Sequence, residues 1–327
     1  MRKILLIATG GTIGCVPGED GLVPGMSGKE LLQMLDIDTQ DVDCADLFSM
    51  DSSNIQPEEW LMIANAVEKA MEAYQAVIIT HGTDTMAYTS SMLSFLLQHI
   101  PIPVILTGAQ YPMVYPDSDG RANLRNAVIA AREMKGGIYI LFGSAIIRGC
   151  RAVKTRTTSL NAFESINAPY VGTVVDGRYI AIDEHSPLSA FAFYNRLVSD
   201  VALIKLVPGT SPQLIDACAR CGVKGVVVEA FGLGGVHNFR RDHAEAIRKL
   251  MQQGIPVILT SQCLYEASSL GVYAVSAPLK KAGVISAMDM TTEAAVTKLM
   301  WALAQADDIE KIRLLMQTDL CGEIGSN

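Results

Sequence analysis

The stretch that decides the fold of this chain reads ILLIATGGTIG and occupies residues 4–14. Its first four residues form an apolar run, which is typical of a buried parallel strand. The glycines that follow allow the backbone to turn sharply and to approach a bound group closely. Between them, Thr12 presents a hydroxyl at the carboxyl edge of a sheet, where open α/β folds bind their ligands. Taken alone, the stretch fits an ordinary glycine-rich turn equally well.

A second strand end of the same kind supports the functional interpretation. Residues 76–80 (AVIIT) form another apolar run, and HGTDT follows it directly at residues 81–85. A glycine again precedes a threonine, Thr83, and a carboxylate, Asp84, stands beside it. Because parallel strands bring their carboxyl ends to one edge of a sheet, we predict that the hydroxyls of Thr12 and Thr83 face each other across one small cavity.

Composition limits the classes of protein to which the chain can belong. Its 327 residues favour two domains. Half of the residues are hydrophobic and only 18% are charged, which suits large cores and argues against disorder. The formal net charge is −8, which disfavours nucleic acid and anionic membranes as partners. No run approaches the ~18 apolar residues of a membrane span.

The cysteines and the N-terminus indicate a cytoplasmic protein. Seven cysteines, an odd number, are scattered along the sequence. This distribution is typical of reduced thiols and not of a disulfide framework. The chain opens with Met-Arg-Lys and an apolar run. That run is too short for the hydrophobic core of a secretion signal, so we interpret it as the first strand.

Strands alternate with helices along the chain, which predicts an α/β fold with a mostly parallel sheet and crossover helices. We expect a larger N-terminal domain at residues 1–183, a linker at 184–200 and a smaller C-terminal α/β domain at 201–327. Ser27 and Glu30 form the pattern of a capping box. The further local expectations are a loop at residues 15–27, helices at 58–74, 85–98 and 121–134, the last capped by Asp119, and a hairpin at 171–182.

The long loop at residues 15–27 is a candidate lid because it follows a reactive strand end, although a simple surface excursion fits as well. A third strand end at residues 51–54 (DSSN) carries Ser52 and Ser53. Their hydroxyls suit a carboxylate or ammonium group, and they equally suit turn chemistry before a helix. Among the cations of residues 148–156, we expect Lys154 to point inward.

These residue types suit acyl transfer to water. A threonine hydroxyl is a poor nucleophile unless a base takes its proton, and a lysine shielded from water can accept one. Backbone N–H groups of glycine turns can stabilise an oxyanion. The set of Thr12, Thr83, Asp84 and Lys154 therefore needs no metal and no organic cofactor.

Two other motifs, for dinucleotide and zinc binding, are incomplete in this sequence. Residues 9–14 lack the first glycine of a dinucleotide fingerprint, and a Pro/Gly loop follows where its helix should begin. Cys218 and Cys221 have C-x-x-C spacing, but no further cysteine or histidine pair completes a zinc set. His81 is the one histidine beside the proposed centre, and we expect it to support the site rather than to react.

The sequence resembles the bacterial-type L-asparaginase family along its whole length. The matching motifs are TGGTIG at residues 9–14, DSS at 51–53, HGTDT at 81–85, TGAQ at 107–110, KT at 154–155 and AFES at 162–165. The CGEIG ending at residues 321–325 and the interpretation of the N-terminus resemble the cytoplasmic, type I-like subgroup.

The resemblance implies a flavodoxin-like N-terminal domain, a smaller C-terminal domain and hydrolysis of L-asparagine to L-aspartate and ammonia. It implies that Thr12 attacks the side-chain amide and forms an acyl-threonine ester. Thr83, Asp84 and Lys154 would assist proton transfer. It also implies subunits that associate as homodimers or homotetramers, with no nucleic acid or membrane as partner. The substrate-binding positions implied by the resemblance are Ser52, Ser53, Gly82 and Ala109, together with Asp84.

The chain departs from the family pattern in the expected lid. Family members commonly carry a tyrosine there that hydrogen-bonds the nucleophile, whereas Leu22 stands in its place. Either Tyr111, Tyr115 or Tyr265 substitutes for it, or closure works without a tyrosine.

Two alternative functions remain open at the sequence level. One is the amidohydrolase subunit of a tRNA-dependent amidotransferase, which we expect to need an added N-terminal domain and a basic face. The other is an amino-acid sensor that keeps the pocket without turnover.

Overall fold

The structure is a computed structural model that describes residues 3–19, 21–186, 189–270 and 277–325. The chain divides into two compact units, Met1–Asn195 and Arg196–Asn327. A large, mostly parallel sheet lies in the first unit and a small parallel sheet in the second, which confirms the predicted fold class. The finer domain boundaries at residues 1–183, 184–200 and 201–327 stay a prediction.

The first unit contains strands of very different length. In chain order they are β1 Lys3–Gly10, β2 Cys15–Gly18, β3 Gly21–Pro24, β4 Val42–Met50, β5 Tyr74–Thr80, β6 Leu97–Gln98, β7 Pro103–Thr107, β8 Gly137–Phe142, β9 Ala145–Arg148, β10 Ala152–Lys154, β11 Phe163–Ser165, β12 Gly172–Val175, β13 Arg178–Ala181 and β14 Ala192–Phe193. Its α-helices are α1 Gly28–Gln33, α2 Pro57–Ala70, α3 Met86–Leu96 and α4 Gly120–Ala131. Short 3-10 turns lie at Thr12–Gly14, Ser52–Asn54 and Gly149–Arg151.

Eight of these strands form the central sheet in the order β13-β12-β9-β8-β7-β5-β1-β4. The pairs from β8 to β4 are parallel, and those from β8 to β13 are antiparallel. Because these five strands run parallel, their carboxyl ends lie at one edge of the sheet. This edge collects the loops that the sequence marks as functional.

Several local predictions are confirmed. Ser27 and Glu30 form both hydrogen bonds of the capping box that begins α1. The hairpin of β12 and β13 turns at Asp176 and Gly177, which have φ values of 50° and 72°, as a two-residue turn with positive φ requires.

Other local predictions are wrong. The predicted loop at residues 15–27 contains the antiparallel hairpin of β2 and β3, because only four residues of each strand pair and its Pro/Gly content hides the alternation. The helix predicted to reach residue 74 ends at Ala70, since β5 begins at Tyr74. The helix predicted to reach residue 98 gives way to β6, which pairs with β14 from the predicted linker.

The second unit has four parallel strands in the order β15 to β18. Its strands are β15 Val201–Lys205, β16 Gly225–Ala230, β17 Val257–Ser261 and β18 Ile285–Ser286, and its helices are α5 Gln213–Arg220, α6 His243–Gln252, α7 Ala277–Lys281, α8 Thr292–Gln305 and α9 Ile309–Gln317. Within the described ranges, none of the chain's helices is long and apolar enough to cross a bilayer. Each unit buries one of the two tryptophans, Trp60 in the first and Trp301 in the second.

The ends of β1 and β5 approach each other through glycine backbones alone. β1 pairs with β5 up to Ala8 opposite Thr80. Past these residues, a Cβ atom on Gly11 would lie 2.3 Å from the backbone nitrogen of Gly82. Gly11 also has a φ of +81°, which L-residues rarely adopt. No side chain fits at residue 11 between the two strand ends, and Gly82 is confined by Ser52 instead, because a Cβ atom there would lie 2.6 Å from Ser52 Oγ.

A buried ion pair holds the last described residues of the second unit. Lys298 on α8 and Glu323 are both 0% exposed and form a salt bridge. The ammonium of Lys298 also donates hydrogen bonds to the carbonyl oxygens of Met316 and Thr318, at 3.1 and 2.6 Å. Burial is the main effect on Glu323 and raises the pKa of its carboxyl group, which the Lys298 charge opposes. Removing one partner would leave a buried charge without compensation.

The glycine contact predicts unequal effects of two alanine substitutions. In Gly177→Ala the new Cβ atom has no neighbour within 4 Å and the backbone has a positive φ. Only the unfavourable φ should therefore lower the free energy of unfolding, by about 1–2 kcal/mol. Gly11→Ala adds an overlap with Gly82 and should cost a further ~1–3 kcal/mol. Urea unfolding of both variants measures the difference, and equal losses would contradict a tight contact.

The buried pair predicts a large loss of stability for Lys298→Met, about 3–5 kcal/mol in the free energy of unfolding. Lys311→Met is the matched control, because Lys311 is 67% exposed and pairs with the exposed Asp308; its cost should be far smaller than that of Lys298→Met. Combining Lys298→Met with Glu323→Leu should restore much of the loss, because both charges are then removed. Equal urea midpoints for the two single variants would contradict this account.

Candidate active site

The glycine contact between β1 and β5 positions two threonines next to each other along the sheet edge. Gly11 is followed by Thr12 and Gly82 by Thr83. The N–H of Gly11 donates to the carbonyl oxygen of Met50 on β4, at 3.0 Å, so three neighbouring strand ends meet here. A Cβ atom on Gly82 would lie 2.6 Å from Ser52 Oγ. The sheet therefore delivers these turns to one place.

Thr12 begins a 3-10 turn and is half-buried. Its carbonyl oxygen accepts a hydrogen bond from the N–H of Cys15. In the part of the chain that the structure describes, neither its hydroxyl nor its N–H has a hydrogen-bond partner. A hydroxyl and an N–H without internal partners are what a reacting group and an anion donor at this edge require.

Thr83, Asp84 and Lys154 form one hydrogen-bonded cluster. The Nζ atom of Lys154 donates to Thr83 Oγ1 at 2.8 Å and to Asp84 Oδ1 at 2.7 Å. The lysine side chain is only 16% exposed, whereas that of Asp84 is 61% exposed. Lys154 lies at the end of β10, far from the other two in sequence. The carboxylate thus orients the lysine and still presents its outer face to solvent.

Gln110 completes this cluster from the loop after β7. The Thr83 hydroxyl lies 3.4 Å from Gln110 Oε1. The amide nitrogen of Gln110 donates to the carbonyl oxygens of Thr157 and Ser159, at 3.0 and 3.2 Å. Because carbonyl oxygens only accept, these two bonds fix which end of the amide faces Thr83. Thr83 therefore accepts from Lys154 and donates to Gln110.

The loop that carries Gln110 is held by α4. The carboxylate of Asp119 accepts from the backbone N–H groups of Gln110 and Tyr111, each at 3.0 Å. Asn123 donates to the carbonyl oxygen of Gly108 at 2.9 Å. Asp119 was predicted to cap α4, but its side chain makes no capping hydrogen bond. The carboxylate instead positions the loop that follows β7.

Ser52 links the third strand end to the cluster. Its side chain is buried, and its Oγ atom lies 3.3 Å from the N–H of Asp84. Its carbonyl oxygen accepts from Thr85 Oγ1 at 2.8 Å. Ser53 is exposed, and its N–H donates to the side chain of Asp51.

The structure thus brings together most of the predicted site residues. Lys154 is hydrogen-bonded to Thr83 and Asp84, Ser52 lies beside Gly82 and the N–H of Asp84, and Thr12 adjoins this group through Gly11. Ala109 is buried next to Gln110.

Sequence reasoning missed the role of Gln110. The available signal was its position at the end of TGAQ, directly after a strand of the same parallel sheet.

Leu22 lies on β3 and is 48% exposed, and Tyr111 and Tyr115 are also exposed. The loop that carries the tyrosines is tied to the turn of Thr12, because the N–H of Met113 donates to the carbonyl oxygen of Ile13 at 3.2 Å.

Two buried groups beside the site, His81 and Cys15, are neutral at physiological pH. Burial lowers the pKa of His81 to about 4, and burial followed by the charge of Asp51 raises the pKa of the Cys15 thiol. No group of three His, Cys, Asp or Glu residues in the described ranges is arranged to hold a metal ion.

Comparisons with known proteins show the family to which the chain belongs. The model of the family described as "Asparaginase, N-terminal" matches residues 3–187, and that described as "Glutaminase/Asparaginase C-terminal domain" matches residues 200–316. The L-asparaginase of Thermococcus kodakarensis is 40% identical over 98% of this chain and 99% of its own length. Its solved structure has a TM-score of 0.95 at 39% identity and covers 99% of this chain and 100% of that one.

Two further relatives are less similar in sequence to this chain. One component of the glutamyl-tRNA(Gln) amidotransferase of Metallosphaera sedula is 34% identical over 98% of this chain and 76% of its own length. The solved structure of a probable cytoplasmic L-asparaginase from Campylobacter jejuni has a TM-score of 0.84 at 26% identity, and covers 98% of this chain and 100% of that one. With both family models matched and a full-length relative at 40% identity, the predicted resemblance is confirmed: this chain belongs to the asparaginase family.

Proposed function

We propose that this chain hydrolyses L-asparagine to L-aspartate and ammonia. The observation that carries the proposal is the hydrogen-bonded set of Lys154, Thr83 and Asp84 beside the turn of Thr12. The similarity to the Thermococcus kodakarensis L-asparaginase over nearly the whole of both chains supports the same substrate. The reaction needs no metal or organic cofactor.

Thr12 is the nucleophile in this proposal. Its Oγ atom passes its proton to the pair of Thr83 and Lys154 and forms a bond to the carbon of the side-chain amide. The carbonyl oxygen then carries a negative charge, which the N–H groups of Thr12 and Thr83 stabilise. When the C–N bond breaks and the nitrogen gains a proton, ammonia leaves and an acyl-threonine ester remains. Water then attacks the ester and returns the proton to Thr12 Oγ, which releases aspartate.

Thr83 and Lys154 move the protons. Lys154 donates to Thr83 in the structure, so the pair is arranged to deliver a proton to the leaving nitrogen. Thr83 gives up its hydroxyl proton, and Lys154 replaces it. In the second half of the reaction the same path runs in reverse and takes a proton from water. In the structure the Thr83 hydroxyl donates to Gln110 over a long distance of 3.4 Å, and this hydrogen turns from Gln110 to the leaving nitrogen when the proton is delivered.

The charged ends of the amino acid bind along the same edge. The exposed face of the Asp84 carboxylate receives the ammonium group, and the hydroxyls of Ser52 and Ser53 receive the α-carboxylate. The backbone at Gly82 and Ala109 lines the space for the side-chain amide. Exposure of Asp84 and burial of Ser52 beside its N–H support this division of roles.

Activation of Thr12 without a lid tyrosine is part of the proposal. The side chain of Leu22 cannot donate or accept a hydrogen bond, and two of the three candidate tyrosines, Tyr111 and Tyr115, lie in the loop after β7. Their loop is hydrogen-bonded to Ile13, directly after Thr12. We assign the supporting phenol to this loop in preference to Tyr265.

The cellular compartment and the partners of the protein are also part of the proposal. We place it in the cytoplasm, as a homodimer or homotetramer that binds neither nucleic acid nor membranes. Seven cysteines without a disulfide among the described residues, and the likeness to the Campylobacter jejuni protein, support the compartment. The net charge of −8 supports the exclusion of nucleic acid.

The second candidate function is release of ammonia for a tRNA-dependent amidotransferase. The similarity to the amidotransferase component of Metallosphaera sedula favours it. The core chemistry would be the same, and only the consumer of the ammonia would differ.

Isosteric substitution tests the two threonines. Thr12→Val and Thr83→Val should each lower the rate of ammonia release from L-asparagine at least about a thousandfold, because a nucleophile or its proton relay is lost. Thr80→Val is the matched control at the end of β5, because among the described residues the buried Thr80 hydroxyl has no hydrogen-bond partner. Circular dichroism should show all three variants folded. Full activity of either site variant would refute the assignment.

A substrate panel separates the candidate functions. We expect ammonia release from L-asparagine by the chain alone, with release from L-glutamine slower because one methylene is worth ~1–3 kcal/mol in a pocket. Acceleration by glutamyl-tRNA would instead favour the amidotransferase. Binding of asparagine in calorimetry without any ammonia would favour a sensor.

A further inference from the structure

His81 lies directly behind the turn that carries Thr83 and is fully buried. Its Nδ1 atom lies 2.7 Å from the carbonyl oxygen of Gly82. Its Nε2 atom lies 2.8 Å from Thr89 Oγ1 on α3. The same hydroxyl oxygen accepts a hydrogen bond from the indole N–H of Trp60 on α2, at 2.9 Å. Four groups from three elements therefore form one chain of hydrogen bonds.

The chemistry of these groups fixes the direction of every bond. A carbonyl oxygen only accepts, so His81 Nδ1 carries the hydrogen that bonds to Gly82. The imidazole is neutral because burial disfavours its charged form, so Nε2 has a lone pair and accepts from the Thr89 hydroxyl. The indole N–H of Trp60 only donates. The chain thus runs from Trp60 through Thr89 to His81, and from His81 Nδ1 to Gly82.

This arrangement determines where the next N–H points. The peptide between Gly82 and Thr83 is trans, so its carbonyl and N–H groups point in opposite directions. The carbonyl is drawn towards His81, and the N–H of Thr83 therefore points away from the imidazole. Thr83 is only 6% exposed, and across the described residues its N–H has no acceptor. A buried N–H without an acceptor is rare in folded proteins unless a ligand supplies one.

We propose that His81, held by Thr89 and Trp60, is a positioning residue that keeps the Thr83 N–H turned towards the oxyanion of the reaction. The inference rests on the proposed amide hydrolysis and adds to it the residues that preorganise one oxyanion donor. Without the bond from Nδ1 the Gly82–Thr83 peptide can rotate, because glycine restricts its own backbone least. His81 touches no substrate atom and acts through the peptide.

Two substitutions at His81 separate this role from simple packing. In His81→Asn, the side-chain N–H₂ can occupy the position of Nδ1 and still donate to the Gly82 carbonyl. His81→Leu has a comparable volume and no donor. Both lose the bond to Thr89, so they differ in the bond that matters. We expect kcat to fall about 10²–10³-fold in His81→Leu and less than about tenfold in His81→Asn, with KM for L-asparagine little changed in both.

Nitrogen NMR of the wild-type protein, labelled in its five histidines, tests the geometry without relying on a variant that must fold. The His81 signals, assigned by their loss in His81→Asn, should report hydrogen on Nδ1 and none on Nε2, unchanged between pH 8 and pH 5.5. Hydrogen on Nε2, or a charged imidazole at pH 5.5, would overturn the proposal. So would equal kcat values for His81→Leu and His81→Asn. A wild-type protein that releases no ammonia would instead refute the proposed function, and with it this inference.

Discussion

The contact between the backbones of Gly11 and Gly82 is the constraint on which the rest of the site depends. It brings the ends of β1 and β5 so close that no Cβ atom fits between them. The threonines that follow are therefore neighbours although 71 positions separate them in the chain. This distance and a positive φ require glycine at residue 11, and the closeness of Ser52 requires glycine at residue 82. The catalytic proposal follows from backbone packing before any side chain is considered.

Around this contact the protein builds rigid support for each reactive group. Asp119 and Asn123 hold the loop of Gln110, and Gln110 in turn orients the Thr83 hydroxyl. Lys154 arrives from a separate small sheet and is oriented by Asp84. Preorganised dipoles of this kind stabilise developing charge without having to reorganise during the reaction. Most of the polar groups at this sheet edge serve to orient other polar groups.

The sequence was sufficient to predict the parallel sheet, the two threonine turns and the inward direction of Lys154. The sheet and the turns follow from apolar runs that end in glycine, and the direction of Lys154 follows from the apolar pair Ala152-Val153 before it; both are local signals. The hydrogen-bond partners of Gln110, Asp119 and His81 were not predictable, because the packing of loops and helices sets them and no local sequence pattern does. Asp119 illustrates the limit: its pattern indicates a helix cap, yet the Gln110 and Tyr111 N–H groups compete successfully for its carboxylate. Local patterns predict elements, whereas tertiary contacts decide which donor an acceptor receives.

The distribution of the two tryptophans has a practical consequence. Trp60 belongs to the first unit and Trp301 to the second, and both are buried. Intrinsic fluorescence is therefore divided between the units, with one emitting indole in each. Replacing one indole by phenylalanine leaves a probe whose emission follows the melting of a single unit. The cooperativity between the two halves of the protein is thus accessible without any external dye.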